Sequence, residues 1–352
     1  MTVNYSLDAA TASAWAVIAV IFLWRGSLMK LIWREMLGWT VLLALLYAVF
    51  VYGLKGTDYE RYYKLLFDLT KEVPMDGTLM FLMSYMTYNS LTRWQETFKC
   101  LAWPENIALL YRQYFNKDSM KPSEARLMNQ TVSRYLVVFY ILLFRDVSSD
   151  VREMFPTFDD MVQPGIMTAE EANLLQSSRL DRNSPHYWVP IDWIVTLVRD
   201  KYHSAYIYDR HGRKIKNKKI SIMSELEYLK FVGELSKFRG RLGDVLSYDW
   251  VPLPLALFQT LTIFVYSTLI VNCFQMQARI ITSGKSGVSE MFVECMSTLP
   301  FSMLHLAFLR ISQVVINPFG SDDDDFETQY LIDRHIKVLN EILCPEESKK
   351  RK

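Results

Sequence analysis

Residues 251–274 read V-P-L-P-L-A-L-F-Q-T-L-T-I-F-V-Y-S-T-L-I-V-N-C-F and contain no charged side chain. A helix rises about 1.5 Å per residue, so a stretch of this length crosses a hydrocarbon layer about 30 Å thick. The two prolines stand at the start, where a helix tolerates them. This is the clearest predicted transmembrane helix of the chain.

Three other stretches are candidate membrane spans. Residues 36–54 carry no charge and nearly cross the hydrocarbon core. Residues 77–92 are uncharged but short, and their serine, threonine, asparagine and tyrosine side chains suit a bundle interior or a water-filled path better than lipid. Residues 291–309 contain a glutamate, a proline and a histidine, which favours contact with protein. The sequence therefore predicts four transmembrane helices.

A large part of the chain is too polar to lie in a membrane. Hydrophobic residues make up 51% of the 352 residues, which is high for a soluble protein and low for a chain lying entirely in a bilayer. Residues 95–248 are polar, with the apolar spacing of helices. Their longest apolar run, 135–144, is too short to span a membrane and predicts a buried helix of a cytosolic domain.

Basic residues set the predicted orientation. Arg25, Lys30 and Arg34 stand before the first span, so the positive-inside rule places the N-terminus in the cytosol. Four spans return the chain to that side, and both termini are predicted to be cytosolic. Apolar residues 13–23 lack a preceding basic residue and a following cleavage site, which favours a buried or interfacial helix over a secretion signal.

These patterns predict five consecutive parts of the chain. They are an N-terminal cytosolic segment and helix, the first two spans, a cytosolic helical domain, the last two spans, and a C-terminal cytosolic segment: residues 1–30, 31–94, 95–248, 249–312 and 313–352. Within the last part, residues 329–352 predict a helix followed by a polar tail.

One face of the second span is aromatic. Gly77, Phe81, Tyr85 and Tyr88 recur at helical spacing. Such a face either packs against other helices or lines a pore, and spacing alone does not separate the two. A hydrophobic constriction gates a pore by dewetting, and the Tyr85 hydroxyl would weaken that barrier. Asp76 stands beside the outer end, and a ring of aspartates at a pore mouth favours cations.

Residues 316–328 read I-N-P-F-G-S-D-D-D-D-F-E-T and hold four consecutive carboxylates, Asp322 to Asp325. Their mutual repulsion is relieved in water, at the start of a helix or around a cation. The Asn-Pro and glycine before them predict a turn, and oxygen ligands on a tight turn suit Ca²⁺. The spacing differs from that of an EF-hand. A solvated or helix-capping run and a cation site both remain open from the residues alone.

The sequence contains no catalytic motif of the hydrolase, zinc-protease, P-loop or dinucleotide-binding type, and we do not expect an enzyme. Its net charge of +1 gives no electrostatic basis for binding nucleic acid. The four cysteines are scattered without a paired motif, which makes a zinc site or disulfide framework unexpected.

Residues 209–219, D-R-H-G-R-K-I-K-N-K-K, are strongly basic. The Asp-Arg-His-Gly segment between Y-I-Y and R-K-I predicts a short hairpin turn. An exposed, solvated insertion is the simplest interpretation. The alternatives are a nuclear-type signal, contact with anionic lipid, or concentration of anions near a pore.

The pattern I-N-P-F-G-x-D-D-D-D-F-E closely resembles the signature of the bestrophin family, the pentameric Ca²⁺-activated chloride channels of animal membranes. Trp24-Arg25-Gly26-Ser27, Thr92-Arg93-Trp94 and Tyr248-Asp249-Trp250 also match family segments, in family order. The resemblance covers nearly the whole chain except a stretch around 200–220. It implies an all-α membrane protein in a homopentameric ring around one central pore, surrounded by membrane lipid and conducting chloride or other inorganic anions.

The resemblance also implies residue roles. Regulatory Ca²⁺ would be held by the side chains of Asp322 and Asp325 and by the backbone carbonyls of Ala10, Val314 and Asn317. A further set aligns with the pore constrictions of the family, namely Gly77, Phe81 and Tyr85 at a hydrophobic neck and Leu226 at a second, cytosolic aperture. The alternative to a role at the aperture is that Leu226 is an ordinary leucine of the protein core.

We therefore predict a Ca²⁺-gated anion channel of the plasma membrane. Gly77 and Tyr85 depart from the bulky apolar residues of the family's neck. A weakly selective or cation-conducting channel, and a non-conducting membrane scaffold, are accordingly the alternatives on the same fold.

Overall fold

The computed structural model describes residues 5, 10, 14–71, 76–178, 184–208, 214–217, 220–282 and 288–345. Within these ranges the chain is mainly helical, as predicted, with one two-stranded hairpin and two short 3-10 turns, Lys117–Ser119 and Asp159–Met161. The α-helices are α1 Ala14–Ile21, α2 Leu28–Ala48, α3 Glu60–Lys71, α4 Asp76–Cys100, α5 Pro104–Tyr114, α6 Pro122–Val147, α7 Ser149–Met154, α8 Ala169–Gln176, α9 Val189–Ser204, α10 Glu225–Trp250, α11 Leu255–Thr282, α12 Val288–Val314 and α13 Thr328–Leu343. Helix α2 continues into a π-helical turn, Val49–Leu54.

Several helices begin with capping side chains. The Ser27 hydroxyl accepts a hydrogen bond from the Lys30 backbone N–H, 3.1 Å away, at the start of α2. Ser224 and Glu227 form a reciprocal capping box at the start of α10, with distances of 3.3 and 2.7 Å. These bonds satisfy N–H groups that the first helical turn leaves without partners.

Helices α2, α4, α11 and α12 pack into an apolar bundle with its own core. Two contacts between polar groups link neighbouring helices inside it. The Trp39 indole N–H donates to the Leu269 carbonyl oxygen at 3.1 Å, and the hydroxyls of Thr87 and Ser312 lie 2.9 Å apart. The core side chains are Ile32, Met36, Trp39, Leu43, Leu79, Met83, Met86, Leu261, Val265, Leu269, Cys273, Met276, Ile280, Leu306 and Leu309.

A second core surrounds α6, which contacts α9, α10 and α13. Residues 136–144 of α6 are all buried, so the predicted burial of the 135–144 run is confirmed for all but its first residue. The prediction that this helix is too short to span a membrane is wrong, because it extends over Pro122–Val147 and is long enough to cross one. What argues against a lipid-facing helix is packing, since 67% of its apolar window is buried.

Four helical stretches are long and apolar enough to cross a membrane: Leu28–Leu54, Pro122–Val147, Leu255–Ile280 and Phe292–Val314. Only 17%, 22% and 33% of the first, third and fourth windows are buried, so these helices expose apolar side chains around the bundle. Helix α4 is too polar to join this set, yet it packs against α11 and α12 in the same bundle. It is longer than the predicted 77–92 stretch.

The first apolar helix begins at Leu28 rather than at the predicted residue 36. The charged residues Lys30, Arg34 and Glu35 therefore lie inside the helix. Glu35 forms an ion pair with Arg310 of α12, which accommodates both charges within the bundle. A charge that ends an apolar stretch in the sequence therefore does not end the helix.

Two further predictions concern helix α1, expected to be buried or interfacial, and the hairpin in the basic stretch. Trp15 is 79% exposed, so α1 is not buried within the chain itself. Strands β1 Tyr206–Tyr208 and β2 Lys214–Lys216 pair antiparallel, which confirms the hairpin. Residues 209–213, 218 and 219 of the basic stretch lie outside the described ranges, as does the C-terminal tail from residue 346.

Candidate cation site and aromatic face

The segment 317–326, which we call the acidic turn, is closed by its own hydrogen bonds. The Phe326 N–H donates to the Pro318 carbonyl oxygen at 2.8 Å, and the Asp325 N–H donates to the Asp322 carbonyl oxygen at 3.2 Å. The Asp322 N–H in turn donates to Asp325 Oδ2 at 2.7 Å. The chain thus folds back over the Asp325 carboxylate, as aspartate does in tight turns.

Gly320 is required by this closure. A Cβ atom added at Gly320 would lie 2.7 Å from Asp325 Oδ2 and 3.5 Å from Asn317 Nδ2. The first distance is far below van der Waals contact. Glycine therefore allows the backbone to approach the carboxylate, which is a physical reason for the Pro-Phe-Gly sequence before the acidic run.

Asp325 has the environment of a cation ligand, and none of the described basic residues is among the groups that shift its pKa. Its side chain is only 5% exposed, and Oδ1 is buried with no hydrogen-bond partner. Burial raises the pKa of Asp325 to about 6, and the nearby charges of Asp322, Asp324 and Asp150 act in the same direction. A buried, uncompensated carboxylate is costly, and binding a hard cation would remove that cost. The residues present therefore fit Ca²⁺.

Asp322 is exposed beside Asp325, while Asp324 is partly buried with its pKa raised by burial and by Asp323 and Asp322. Within the described ranges, no group of three or more histidine, cysteine, aspartate or glutamate side chains is arranged to hold a metal ion. A Ca²⁺ site here therefore needs backbone carbonyl ligands in addition to carboxylates.

Asp323 has a different role from its neighbours. Its carboxylate accepts hydrogen bonds from the Gly26 N–H, at 2.9 Å, and from the Lys30 ammonium group, while Arg25 Nε lies 3.9 Å away. The hydrogen bond from Lys30, followed by that from Gly26, lowers the pKa of Asp323. Gly26 has a positive φ of 69°, which glycine adopts without strain. Asp323 thus fastens the start of α2 to the acidic turn.

The other three predicted ligands occupy two places in the chain. Val314 is the last residue of α12, and Asn317 begins the acidic turn that follows it, so these two lie in the same segment as Asp322 and Asp325. Ala10 belongs to the N-terminal segment and is exposed, and the residues on either side of it lie outside the described ranges.

The sequence segments that carried the resemblance meet around the acidic turn. The Arg93 guanidinium donates to the Tyr248 carbonyl oxygen, and its Cζ lies 5.4 Å from the centre of the Tyr248 ring. Asn317 and Phe319 line a cavity of about 180 Å³ together with these residues and Asp249. Sequence reasoning identified the segments but gave no indication that they are in contact.

The aromatic face of α4, consisting of Gly77, Phe81, Tyr85 and Tyr88, is exposed within the single chain. Phe81 is 73% exposed and Tyr85 51%, and their rings stack with centroids 6.5 Å apart. The opposite side of α4 supplies Leu79, Met83 and Met86 to the bundle core. The shared face is thus confirmed. The aromatic packing interpretation does not hold within one chain, because these rings point away from the bundle.

Gly77 leaves open space, since a Cβ added there meets no atom within 4 Å. The side chain of Asp76 lies outside the described part of the structure. Leu226, the second residue of α10, is 63% exposed and is therefore not a core leucine of the single chain.

Comparisons with known proteins identify the family of the chain. The family model described as "Bestrophin, RFP-TM, chloride channel" matches residues 1–345. Bestrophin homolog 22 of Caenorhabditis elegans is 27% identical over 336 residues, covering 96% of this chain and 63% of the relative. Mouse Bestrophin-2 is 30% identical over 339 residues, covering 96% and 62%, and human Bestrophin-3 is 28% identical over 344 residues, covering 96% and 48%. The chain thus spans between about half and nearly two thirds of the length of these relatives.

A solved structure shares the fold. The crystal structure of a bacterial bestrophin homolog from Klebsiella pneumoniae matches with a TM-score of 0.60 and 16% sequence identity, covering 89% of this chain and 98% of that one. Since the family model matches nearly the whole length, the chain belongs to the bestrophin family.

Proposed function

We propose that the chain is one subunit of a Ca²⁺-activated anion channel. The observation that carries the proposal is a single helix, α4, which presents an exposed aromatic face at one end and contacts the acidic turn at the other. An aromatic face of this kind lines a central path when several copies surround a common axis. A closed ring of identical subunits uses one repeated contact, and the family resemblance favours five copies.

In this arrangement α2, α4, α11 and α12 are the four membrane-spanning helices of each subunit. Both termini and the core around α6 lie in the cytosol, and the plasma membrane is the proposed location. The low burial of the windows on α2, α11 and α12 supports lipid contact, because apolar side chains there lack protein neighbours. Gly77, Phe81 and Tyr85 would form the neck of the pore, and Leu226 a second aperture.

Ca²⁺ would be held by the side chains of Asp322 and Asp325, with carbonyl oxygens of Ala10, Val314 and Asn317. When bound, it supplies the positive charge that the buried Asp325 carboxylate lacks. Other residues of the chain shape the site. Gly320 permits the close turn, and Asp323 keeps α2 beside it. Opening requires a higher Ca²⁺ affinity in the open state than in the closed state.

Gly77 and Tyr85 depart from the bulky apolar residues of the family's neck, so the charge of the permeating ion must be tested. Gly77 contributes no side chain, and Tyr85 places a hydroxyl in a constriction that gates by dewetting. Both features would weaken a hydrophobic barrier, so a weakly selective or cation-conducting pore is the second candidate. A non-conducting membrane scaffold is the third.

Reconstitution of the purified protein in planar bilayers separates the three. In asymmetric NaCl we expect a current with the reversal potential of chloride, activated by Ca²⁺ on the cytosolic side. A reversal potential of the opposite sign would establish the cation channel, and absence of current in protein that retains Ca²⁺ binding would favour the scaffold.

The cation site has its own test in the same bilayers. Asp322→Ala should abolish the Ca²⁺ dependence of the current, whereas Asp333→Ala, at an exposed aspartate on α13, should preserve it. Unchanged Ca²⁺ activation in the Asp322 variant would rule out the assigned ligands.

A further inference from the structure

Phe326 occupies the point where the acidic turn meets α4. It is 6% exposed, and its ring centroid lies 5.1 Å from that of Trp94 and 5.0 Å from that of Phe98, both on α4. A third ring, Phe319 of the same turn, packs edge-on at 5.6 Å. Tilted and edge-on arrangements at these separations are the favourable ones for aromatic pairs.

Phe326 is also covalently joined to the buried carboxylate. It directly follows Asp325, and its own N–H is fixed to the Pro318 carbonyl oxygen at 2.8 Å. Asp325 and Phe326 are thus two adjacent side chains of one closed turn. A backbone shift that moves the Asp325 carboxylate therefore also moves the backbone that carries the Phe326 ring.

The other side of the contact is a continuous helix. Helix α4 runs without interruption from Asp76 to Cys100 and contains no proline. Trp94 and Phe98 are four residues apart and therefore lie on one face. Phe81 and Phe98 are separated by about 25 Å along the axis, from a rise of about 1.5 Å per residue. A displacement at the Phe98 end is therefore carried to the aromatic face.

The surroundings leave room for such a displacement. A cavity of about 450 Å³ lies beside these rings, lined chiefly by Trp94, Phe98, Trp103, Phe326, Tyr330 and Leu331. Close-packed interiors resist movement, whereas a ring beside open apolar volume can shift without a clash. By contrast, the neighbouring Arg93 is held by Tyr248 of α10, so its hydrogen bond ties α4 to another helix rather than to the turn.

We propose that Phe326 is the positioning residue that couples the acidic turn to the pore face, through its ring contacts with Trp94 and Phe98. This inference deepens the proposed function and rests on it for the identity of the pore and of Ca²⁺. It assigns Phe326 no contact with the cation and none with the permeating ion.

Phe326→Leu tests the coupling, because leucine keeps an apolar side chain in place and removes both ring pairs with α4. The matched control is Phe139→Leu, the same change at a buried ring that packs against Tyr140, Tyr187 and Phe238 in the α6 core. Hydrogen–deuterium exchange with mass spectrometry on the full chain in detergent, with and without Ca²⁺, reports on both ends. Peptides over residues 317–326 report binding, and peptides over 76–92 report the pore face.

In the wild type and in Phe139→Leu, Ca²⁺ should slow exchange in the acidic turn and change exchange over 76–92. In Phe326→Leu the protection of the turn should persist, while the change over 76–92 should fall about fivefold or more, since two aromatic pairs are lost. A Phe326→Leu protein that transmits the change in full would overturn the proposal.

A wild type in which Ca²⁺ protects the turn and leaves 76–92 unchanged would overturn it as well. Neither readout requires conduction. Failure of the anion-channel proposal in the bilayer recordings is therefore distinguishable from failure of the coupling.

Discussion

Replacing Asp325 with asparagine tests the cation site most directly, because the change removes a negative charge and keeps the shape of the side chain. Burial, reinforced by the neighbouring carboxylates, raises the pKa of Asp325 from an ordinary value of 3.8 to about 6. That difference corresponds to roughly 3 kcal/mol by which the ionised carboxylate destabilises the cation-free fold. Asparagine cannot ionise and carries no such cost.

The sign of the pH dependence follows from the raised pKa. Well below about pH 4 the carboxyl is protonated in both the folded and the unfolded chain, and it contributes nothing to the difference. Between about pH 4 and pH 6 the unfolded chain loses the proton while the folded chain keeps it, so the cation-free fold loses stability as pH rises. Above about pH 6 that loss is complete and constant. In Asp325→Asn the contribution should be absent.

Thermal unfolding of the detergent-purified protein measures both parts of the prediction. At pH 7 with a chelator, Asp325→Asn should unfold at a higher temperature than the wild type, and well below pH 4 the two should coincide. Ca²⁺ at about 100 times its Kd should stabilise the wild type by about 2.7 kcal/mol and leave the variant unchanged. Asp333→Asn, at an exposed position, is the matched control. A chelated variant no more stable than the wild type at pH 7, or equal stabilisation of both proteins by Ca²⁺, would rule out Asp325 as an uncompensated cation ligand.

Three further substitutions test other parts of the site. Gly320→Ala should lower Ca²⁺ affinity about tenfold or more, since overpacking costs about 1–3 kcal/mol, whereas Gly240→Ala, where an added Cβ meets nothing within 4 Å, should not; equal affinities in a calorimetric titration would contradict this. Asp323→Asn should keep Ca²⁺ affinity within about fivefold, because ion pairs near the surface are worth about 1 kcal/mol or less, and a loss as large as that of Asp322→Ala would make Asp323 a ligand. Tyr85→Ala should increase the basal leak in bilayers, and an unchanged leak and rectification would remove Tyr85 from the pore.

Local patterns in the sequence were sufficient for much of this fold. The spacing of Gly77, Phe81, Tyr85 and Tyr88 gave the correct helix face, because a helical period depends on the chain alone. The turn before the acidic run and the helix after it also follow from local chemistry. The bounds of α2 do not follow from local chemistry. Lys30 and Glu35 lie inside the helix because they form ion pairs with Asp323 and Arg310, nearly three hundred residues away.

The roles of the individual aspartates were only partly predictable. The resemblance singled out Asp322 and Asp325, but the partners of Asp323 are a glycine N–H and a lysine that no spacing rule connects to it. The contact between Phe326 and α4 could not be predicted either, because no spacing rule connects residues so far apart in the sequence. Long-range pairs are set by how the helices pack, and a single sequence holds no direct record of that packing.

The four aspartates now separate by how each negative charge is compensated. Asp323 is neutralised by Lys30 and by the Gly26 N–H, Asp322 is exposed to water, and Asp324 is partly buried. Asp325 alone combines near-complete burial with an oxygen that has no partner, so cation binding gains most free energy at that position. Asp325 is also the residue joined to Phe326, the ring that contacts α4. If Ca²⁺ binds there, as proposed, the free energy of binding is released next to the contact between the acidic turn and α4.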